Sequence, residues 1–440
     1  MKQSTNQPKN STIVPITIIA GLFFIFGFVT WINGALIPFM KTINELTDAQ
    51  SYLVASASYI SFVAMALPAS YIINKIGFRK GMSLGLIIMA IGALIFIPAA
   101  NARTYWVFLV GIFIQGAGMT LLQTASNPYI TILGPIESAA KRIAIMGIAN
   151  KIAGGLGSVI FGAILLSGID SMKEKLSVVG VAEKANILNT LADSVVTPYI
   201  VMAIVLFLLG ILIRKAPLPH VEAAPIEESV GGGKSKTSIF QFPHLWLGVL
   251  ALFVYVGVEV IAGDTIISYG ISLDIPVEQA KFFTLFTLMA MVGTYALGVF
   301  LIPKYMSQAL ALKASALLGI IFSFCILFTN GFTSVLFVAA LGIANALVWP
   351  AIWPLALTGL GKFTKTASAL LIMAISGGAI LPPLYGVLVD NRKEQLIAIG
   401  VQEVSAMAEA ASHGYWILLP CYTIILFYAF YGHKVGLKKS

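Results

Sequence analysis

Apolar runs of about twenty residues, uninterrupted by charge, recur along the whole chain, and no other feature restricts its fold as severely. A helical run of that length matches the ~30 Å hydrocarbon core of a bilayer. Backbone N–H and C=O groups find no water in lipid, so only helices or closed barrels can span it, and these runs lack the two-residue alternation of barrel strands. Charged residues make up 10% of the 440, against about 25% in a soluble domain. The pattern predicts an all-α membrane protein with spans near 13–36, 52–73, 82–100, 104–133, 143–167 and 195–213. A second set follows near 245–270, 281–302, 309–328, 332–357, 366–389 and 415–432. The first run has no small-x-small cleavage site and is expected to be a retained helix rather than a removed signal peptide.

Between the two sets lies the longest charged, turn-rich gap, 214–244, with Pro217, Pro219 and Pro225 followed by Gly231, Gly232, Gly233 and Lys234. It divides the chain into an N-terminal half (1–213), a linker expected to be flexible and cytoplasmic (214–244) and a C-terminal half (245–440), each half with six spans. With both termini inside, two thirds of the 27 basic residues fall on the inner side and most of the 18 acids on the outer, as positive-inside orientation requires. The net charge of +9 is thereby accounted for without nucleic acid, since no basic stretch is interleaved with aromatics. Outer segments 168–194 and 390–414 are long enough for short helices but too short for a receptor domain.

The halves repeat weakly. Gly27 to Pro38 lies over Gly257 to Ser268, and Gln123, Asn127 and Pro128 lie over Trp349, Trp353 and Pro354 at nearly the same offset. Gly154, Gly155 and Gly162 are echoed by Gly377, Gly378 and Gly386. Parallel six-span repeats imply a solute site at the midplane, around which the halves rock to give alternating access.

Ionisable residues inside hydrocarbon are costly and mark function by default. Three qualify. Lys151 follows Arg142 by nine residues, roughly 13 Å into the membrane at helical rise. Glu259 and Asp264 lie within span seven, five residues apart and hence about 140° around the helix, so they cannot face one point. The expectation is a buried cluster in which Lys151 compensates one carboxylate while the other titrates or helps hold a proton or sodium ion. A static ion pair joining the halves is the structural alternative.

Amides at Asn33, Gln123, Asn127, Asn150 and Asn345 fall within apolar spans. Their paired donors and acceptors suit the vicinal hydroxyls of a sugar, although they also serve interhelical hydrogen bonds. Trp31, Trp349 and Trp353 offer faces for the C–H surface of a saccharide, and Trp349 and Trp353 are one turn apart. Trp106 and Trp416 begin spans and are read as interfacial anchors. Cys325 and Cys421 sit in apolar runs as small hydrophobes, and no metal or cofactor pattern is present. A nucleotide-binding Gly-x4-Gly-Lys-Ser/Thr loop, His-Glu-x2-His and Gly-x-Ser-x-Gly are all missing, which argues against an ATP-driven pump or an intramembrane enzyme.

The loop Ser70–Lys80 (SYIINKIGFRK) is a degenerate form of the Gly-x3-Asp-Arg-x-Gly-Arg-Lys signature of the major facilitator superfamily, with Ser70 and Asn74 at its Gly and Asp positions. Leu122 to Pro135 (LQTASNPYITILGP), Arg142 through Asn150, and Phe253 to Asp264 (FVYVGVEVIAGD) resemble the fucose:proton symporter family of that superfamily, which includes fucose and glucose/galactose permeases. The resemblance extends over both halves. It implies the major facilitator fold and a hexose substrate; residue type and depth in the spans make Asn33, Gln123, Asn127, Asn150, Asn345, Trp349 and Trp353 the candidates to bind it. The fucose permeases carry a coupling Asp in helix one and a coupling Glu in helix four, where this chain has Gly34 and Gln123. The internal repeat places Asp264 opposite Gly34, so Glu259, Asp264 and Lys151 become the candidates for cation coupling. A multi-pass, monomeric importer of a monosaccharide in a prokaryotic cytoplasmic membrane is the expectation. An uncoupled facilitator, an exporter of the same fold and a non-transporting sugar receptor are the alternatives.

Overall fold

The computed structural model describes residues 10–132, 139–167, 169, 172, 179–218, 238–302 and 304–437. Among them there is no strand, and twelve helical stretches are long and apolar enough to cross a bilayer. Spans one to six are Val14–Asn44, Leu53–Ile76, Phe78–Asn101, Tyr105–Asn127, Arg142–Leu165 and Val181–Lys215. Spans seven to twelve are Pro243–Asp264, Val277–Leu301, Gln308–Phe328, Gly331–Leu357, Thr366–Ala398 and Glu403–Lys434. The outer surface is apolar: Leu67, Leu212, Phe300 and Phe328 are each 62–76% exposed, which suits contact with hydrocarbon and not with water.

An even number of spans puts both ends of the described chain on one side, the terminal face. The expected linker falls largely at 219–237, outside the described residues. Its flanks are ordered: Arg79 donates to Ala216 O (3.3 Å), and Ser238 caps the short turn Ile239–Gln241.

Span packing obeys a six-fold shift in numbering. Spans one and five, two and four, three and four, and three and six pack in the first half; seven and eleven, eight and ten, nine and ten, and nine and twelve pack in the second. The halves meet along two seams, five against eight and two against eleven, which the same shift exchanges. Glycines set the closest approaches. An added Cβ on Gly27 would lie 1.9 Å from Asn150 O of span five, and on Gly257, its repeat partner, 2.1 Å from Leu381 of span eleven.

Several spans are interrupted, four of them near the middle of the bundle or the joint between halves. Span one breaks at Ile32, between helices Asn10–Trp31 and Asn33–Asn44; span seven breaks at Thr265, between Pro243–Asp264 and Ile266–Ser272. Span ten breaks at Leu347, where Pro350 cannot donate to Ala346 O. Span eleven narrows to a 3-10 turn at Ala374–Ser376, just before Gly377 and Gly378. Some helices outrun their apolar stretches. Span eleven continues to Ala398 because Arg392 and Lys393 pair with Glu409 (2.6 Å) and Glu403 (3.0 Å) of the next helix. A separate helix, Val181–Asp193, precedes the membrane part of span six and buries Leu188, Leu191 and Ala192.

On the face opposite the termini the halves are packed together. Asp390 of span eleven accepts from the backbone N–H groups of Asp48 (3.1 Å) and Ala49 (2.9 Å), at the start of a short helix after span one. Tyr52 and Tyr385 meet edge to face at 5.5 Å, and Lys281 of span eight donates to Ser167 (2.9 Å).

Candidate functional site

Below that packed region the halves separate around a cavity of about 930 Å³, counting its open mouth. Gln123 and Asn127 are one helical turn apart on span four, so one face presents both amides to it. Asn150 and Lys151 enter from span five, Trp31 and Thr30 from span one, Tyr255 and Glu259 from span seven, and Trp349 from span ten. Ile143, Gly147 and Trp349, near the terminal ends of their spans, carry the cavity toward the terminal face. Gly147 leaves room for the Tyr295 ring, which would lie 3.3 Å from an added Cβ.

Asn150 is fixed on both sides of its amide. Its Nδ2 donates to Phe23 O (3.4 Å), and its Oδ1 accepts from Trp31 Nε1 (3.4 Å). The Trp31 ring thereby becomes a platform, and Lys151 Nζ lies 4.1 Å above its centroid. Lys151 also donates to Glu259 Oε1 at 2.8 Å, a buried ion pair between span five of one half and span seven of the other. Removing either partner would leave an uncompensated charge in low dielectric. Asp264 behaves differently. It is 1% exposed, does not line the cavity, and neither carboxylate oxygen has a hydrogen-bond partner among the described residues.

Of the residues picked from the sequence, Gln123, Asn127, Asn150, Trp349, Lys151 and Glu259 converge on the cavity. Asn33, Asn345 and Trp353 require correction in placement, because none of them lines it. Asn345 is fully buried and accepts from Tyr422 OH (2.8 Å), holding spans ten and twelve together. Asn33 lies just past the span-one break, 4% exposed, beyond the cavity wall. Trp353 stacks behind Trp349 at 5.3 Å and 24°, buttressing the ring that faces inward. Tyr59, Tyr255 and Tyr295 are wall residues that the sequence reading passed over. Their position in mid-span, away from any interface, was the available signal. Trp106 is 69% exposed at the start of span four, while Trp416 is 44% exposed within span twelve, at the 3-10 turn Tyr415–Ile417 and not at a span end. Cys325 and Cys421 are free thiols.

A mainly apolar cavity on which a few polar groups converge, set between pseudo-repeated six-span halves and walled by both, defines a transporter of the major facilitator type and not an enzyme. The chain belongs to the Major Facilitator Superfamily, whose profile matches residues 19–383. It is 33% identical over 437 residues to a glucose/galactose transporter of Brucella abortus, covering 98% of this chain and 96% of that one. It is 28% identical over 390 residues to the L-fucose-proton symporter of Escherichia coli, covering 87% and 88%. The crystal structure of the transporter FucP in its outward conformation superposes with a TM-score of 0.70 at 25% identity, over 96% of this chain and 99% of that one. A D-xylose-proton symporter shares the fold, at a TM-score of 0.67 and 13% identity.

Proposed function

We propose that this protein is a secondary transporter that carries a monosaccharide, a hexose such as glucose or galactose, inward across the cytoplasmic membrane in symport with a cation. The observation that carries this reading is the cavity wall, where amides of Gln123, Asn127 and Asn150 stand beside the rings of Trp31 and Trp349. Amides pair with vicinal hydroxyls, while an indole covers a sugar's C–H face. The names of the relatives, a glucose/galactose transporter and an L-fucose-proton symporter, agree with it. Residues 1–213 and 245–440 are the two rocking units, joined by 214–244 in the cytoplasm, and the protein works as a monomer. With the basic loops inside, the terminal face is cytoplasmic, so the cavity described above opens inward and the packed face is external.

The test is uptake of labelled glucose and galactose by cells or proteoliposomes carrying Gln123→Ala. The reading expects a loss of at least about tenfold in uptake for a lost buried polar contact; wild-type rates would remove the cavity from the substrate's path. The Lys151–Glu259 ion pair favours one second reading, an uncoupled facilitator in which the charges are already neutralised. Such a protein would equilibrate sugar but never concentrate it.

A further inference from the structure

We propose that Trp31 links occupancy of the sugar site to the joint between halves: its indole, carried by span one, is bolted into the second half, and the amide that anchors its N–H, Asn150, is one that faces the sugar. The link to sugar rests on the reading of the cavity as a sugar site; the seating of the ring does not.

Trp31 is the last residue of the helix Asn10–Trp31, at the break of span one. It stands at the blind end of the cavity, because the chain beyond the break is buried from Asn33 to Met40. The residue belongs to the first half, yet it packs in a buried cluster drawn mostly from the second. That cluster holds Leu288, Met291 and Tyr295 of span eight and Ala346, where span ten breaks, and leaves Trp31 only 3% exposed.

Two glycines make room for the edges of the ring. Its pyrrole edge rests on span five of its own half, where an added Cβ on Gly154 would lie 2.4 Å from Cδ1. Its benzene edge enters span seven of the other half, where an added Cβ on Gly263 would lie 2.2 Å from Cζ3. Span eight fixes that seat from behind. Thr284 donates to Gly263 O (2.8 Å) and Thr287 to Ala262 O (3.1 Å), satisfying carbonyls at the end of the helix Pro243–Asp264. The seat therefore has a braced backbone and no side chain of its own to fill it.

One face of the ring already carries Lys151 Nζ, 4.1 Å above the centroid. The N–H is the adjustable contact. It donates to Asn150 Oδ1 at 3.4 Å, longer than the usual 2.7–3.2 Å for N–H···O, so this bond is readily exchanged. A hydroxyl donates and accepts at once. One sugar hydroxyl set between the two groups can accept from Trp31 and donate to Asn150, replacing a long bond by two.

The consequence is a difference between empty and loaded carrier. In the empty protein the ring is held at both edges, so parting spans one and seven must pull it from its seat in one step. A sugar that takes the Asn150 amide frees the pyrrole edge. The ring can then stay seated, or swing, while span one moves. The loaded carrier rocks more readily than the empty one.

The experiment uses the reconstituted full chain with D-glucose and D-galactose. One readout is the ratio of counterflow exchange to net efflux. The other, taken without sugar, is the separation of spin labels at Ala102 and Glu394 across the packed face. Wild type is expected to exchange sugar faster than it empties into a sugar-free side, because the empty carrier returns slowly. Trp31→Phe keeps a ring in the seat and deletes the N–H. One lost hydrogen bond corresponds to about fivefold in rate, so the ratio should fall by about that factor. Gly263→Ala fills the seat of the benzene edge, and Trp31→Ala removes the ring; both should lengthen the mean label separation. An unchanged ratio in Trp31→Phe would overturn the link to sugar, and unchanged distances in both other variants would overturn the bolt. A ring with a merely structural role would lower the folded yield of these variants and move neither readout. A wild type that moves neither sugar overturns the functional reading and the link to sugar with it, while the label distances still decide whether Trp31 joins the halves.

Discussion

Lys151 is held by a carboxylate on one side and an indole face on the other, so its substitution has a computable sign. Lys151→Met leaves Glu259 as a buried, unpaired charge, a change that costs roughly 3–5 kcal/mol when a buried pair is broken. Lys151→Met combined with Glu259→Gln removes both charges, and most of that loss should be recovered. Thermal unfolding of the two variants in detergent checks this; a double variant no more stable than the single one would show that the pair is not what holds the joint. The wall rings and the buttressing groups separate in the same way. Trp349→Ala should weaken sugar binding by about tenfold, whereas Asn345→Ala should lower thermal stability through the loss of its Tyr422 bond and leave the Michaelis constant alone. A matched rise in both Michaelis constants would contradict the placement of Asn345 outside the cavity. Type and depth were readable from the sequence for Gln123, Asn127, Asn150 and Trp349, but equally so for Asn33, Asn345 and Trp353, since a deep polar or aromatic residue can also serve helix packing. The direction in which a side chain points was not. Trp349 and Trp353 share a face by spacing, yet one ring lines the cavity and the other stacks behind it.

At the level of elements, glycine governs how closely spans one and five approach. Gly27→Ala forces a Cβ to within 1.9 Å of a backbone oxygen, which cannot rotate away as a flexible side chain can. Overpacking of this kind costs about 1–3 kcal/mol, so Gly27→Ala should lower both folded yield and melting temperature. Gly21→Ala, with nothing within 4 Å of its Cβ, should change neither. Equal behaviour of the two variants would refute the packing account. Twelve spans were legible from apolar length alone, and the duplication was legible from Gly27 over Gly257. The helix breaks at Ile32 and Thr265 were not read, although Asn33-Gly34 and Gly263-Asp264-Thr265 supply weak helix formers there; glycine is too common in membrane helices to mark a break by itself. Nor was the extension of span eleven to Ala398, since it depends on cross-helix ion pairs that no single run records.

The whole molecule closes on one face through contacts that join opposite halves, with Asp390 bonded to two backbone N–H groups beside span two. Asp390→Asn halves the acceptors in that junction and should shift the population toward the state open on this face. Spin labels at Ala102 and Glu394, one on each half near that face and both exposed, would then report a longer mean separation than in wild type; an unchanged distance distribution would show that Asp390 contributes nothing to closure. The central claim is that these two halves move a hexose by drawing on a cation gradient. It is tested most directly by uptake of radiolabelled glucose and galactose into proteoliposomes under a proton gradient, a sodium gradient or neither. The account predicts accumulation of one of these sugars above equilibrium under one of the two gradients and simple equilibration with neither; absence of uptake for both sugars under every condition would contradict it.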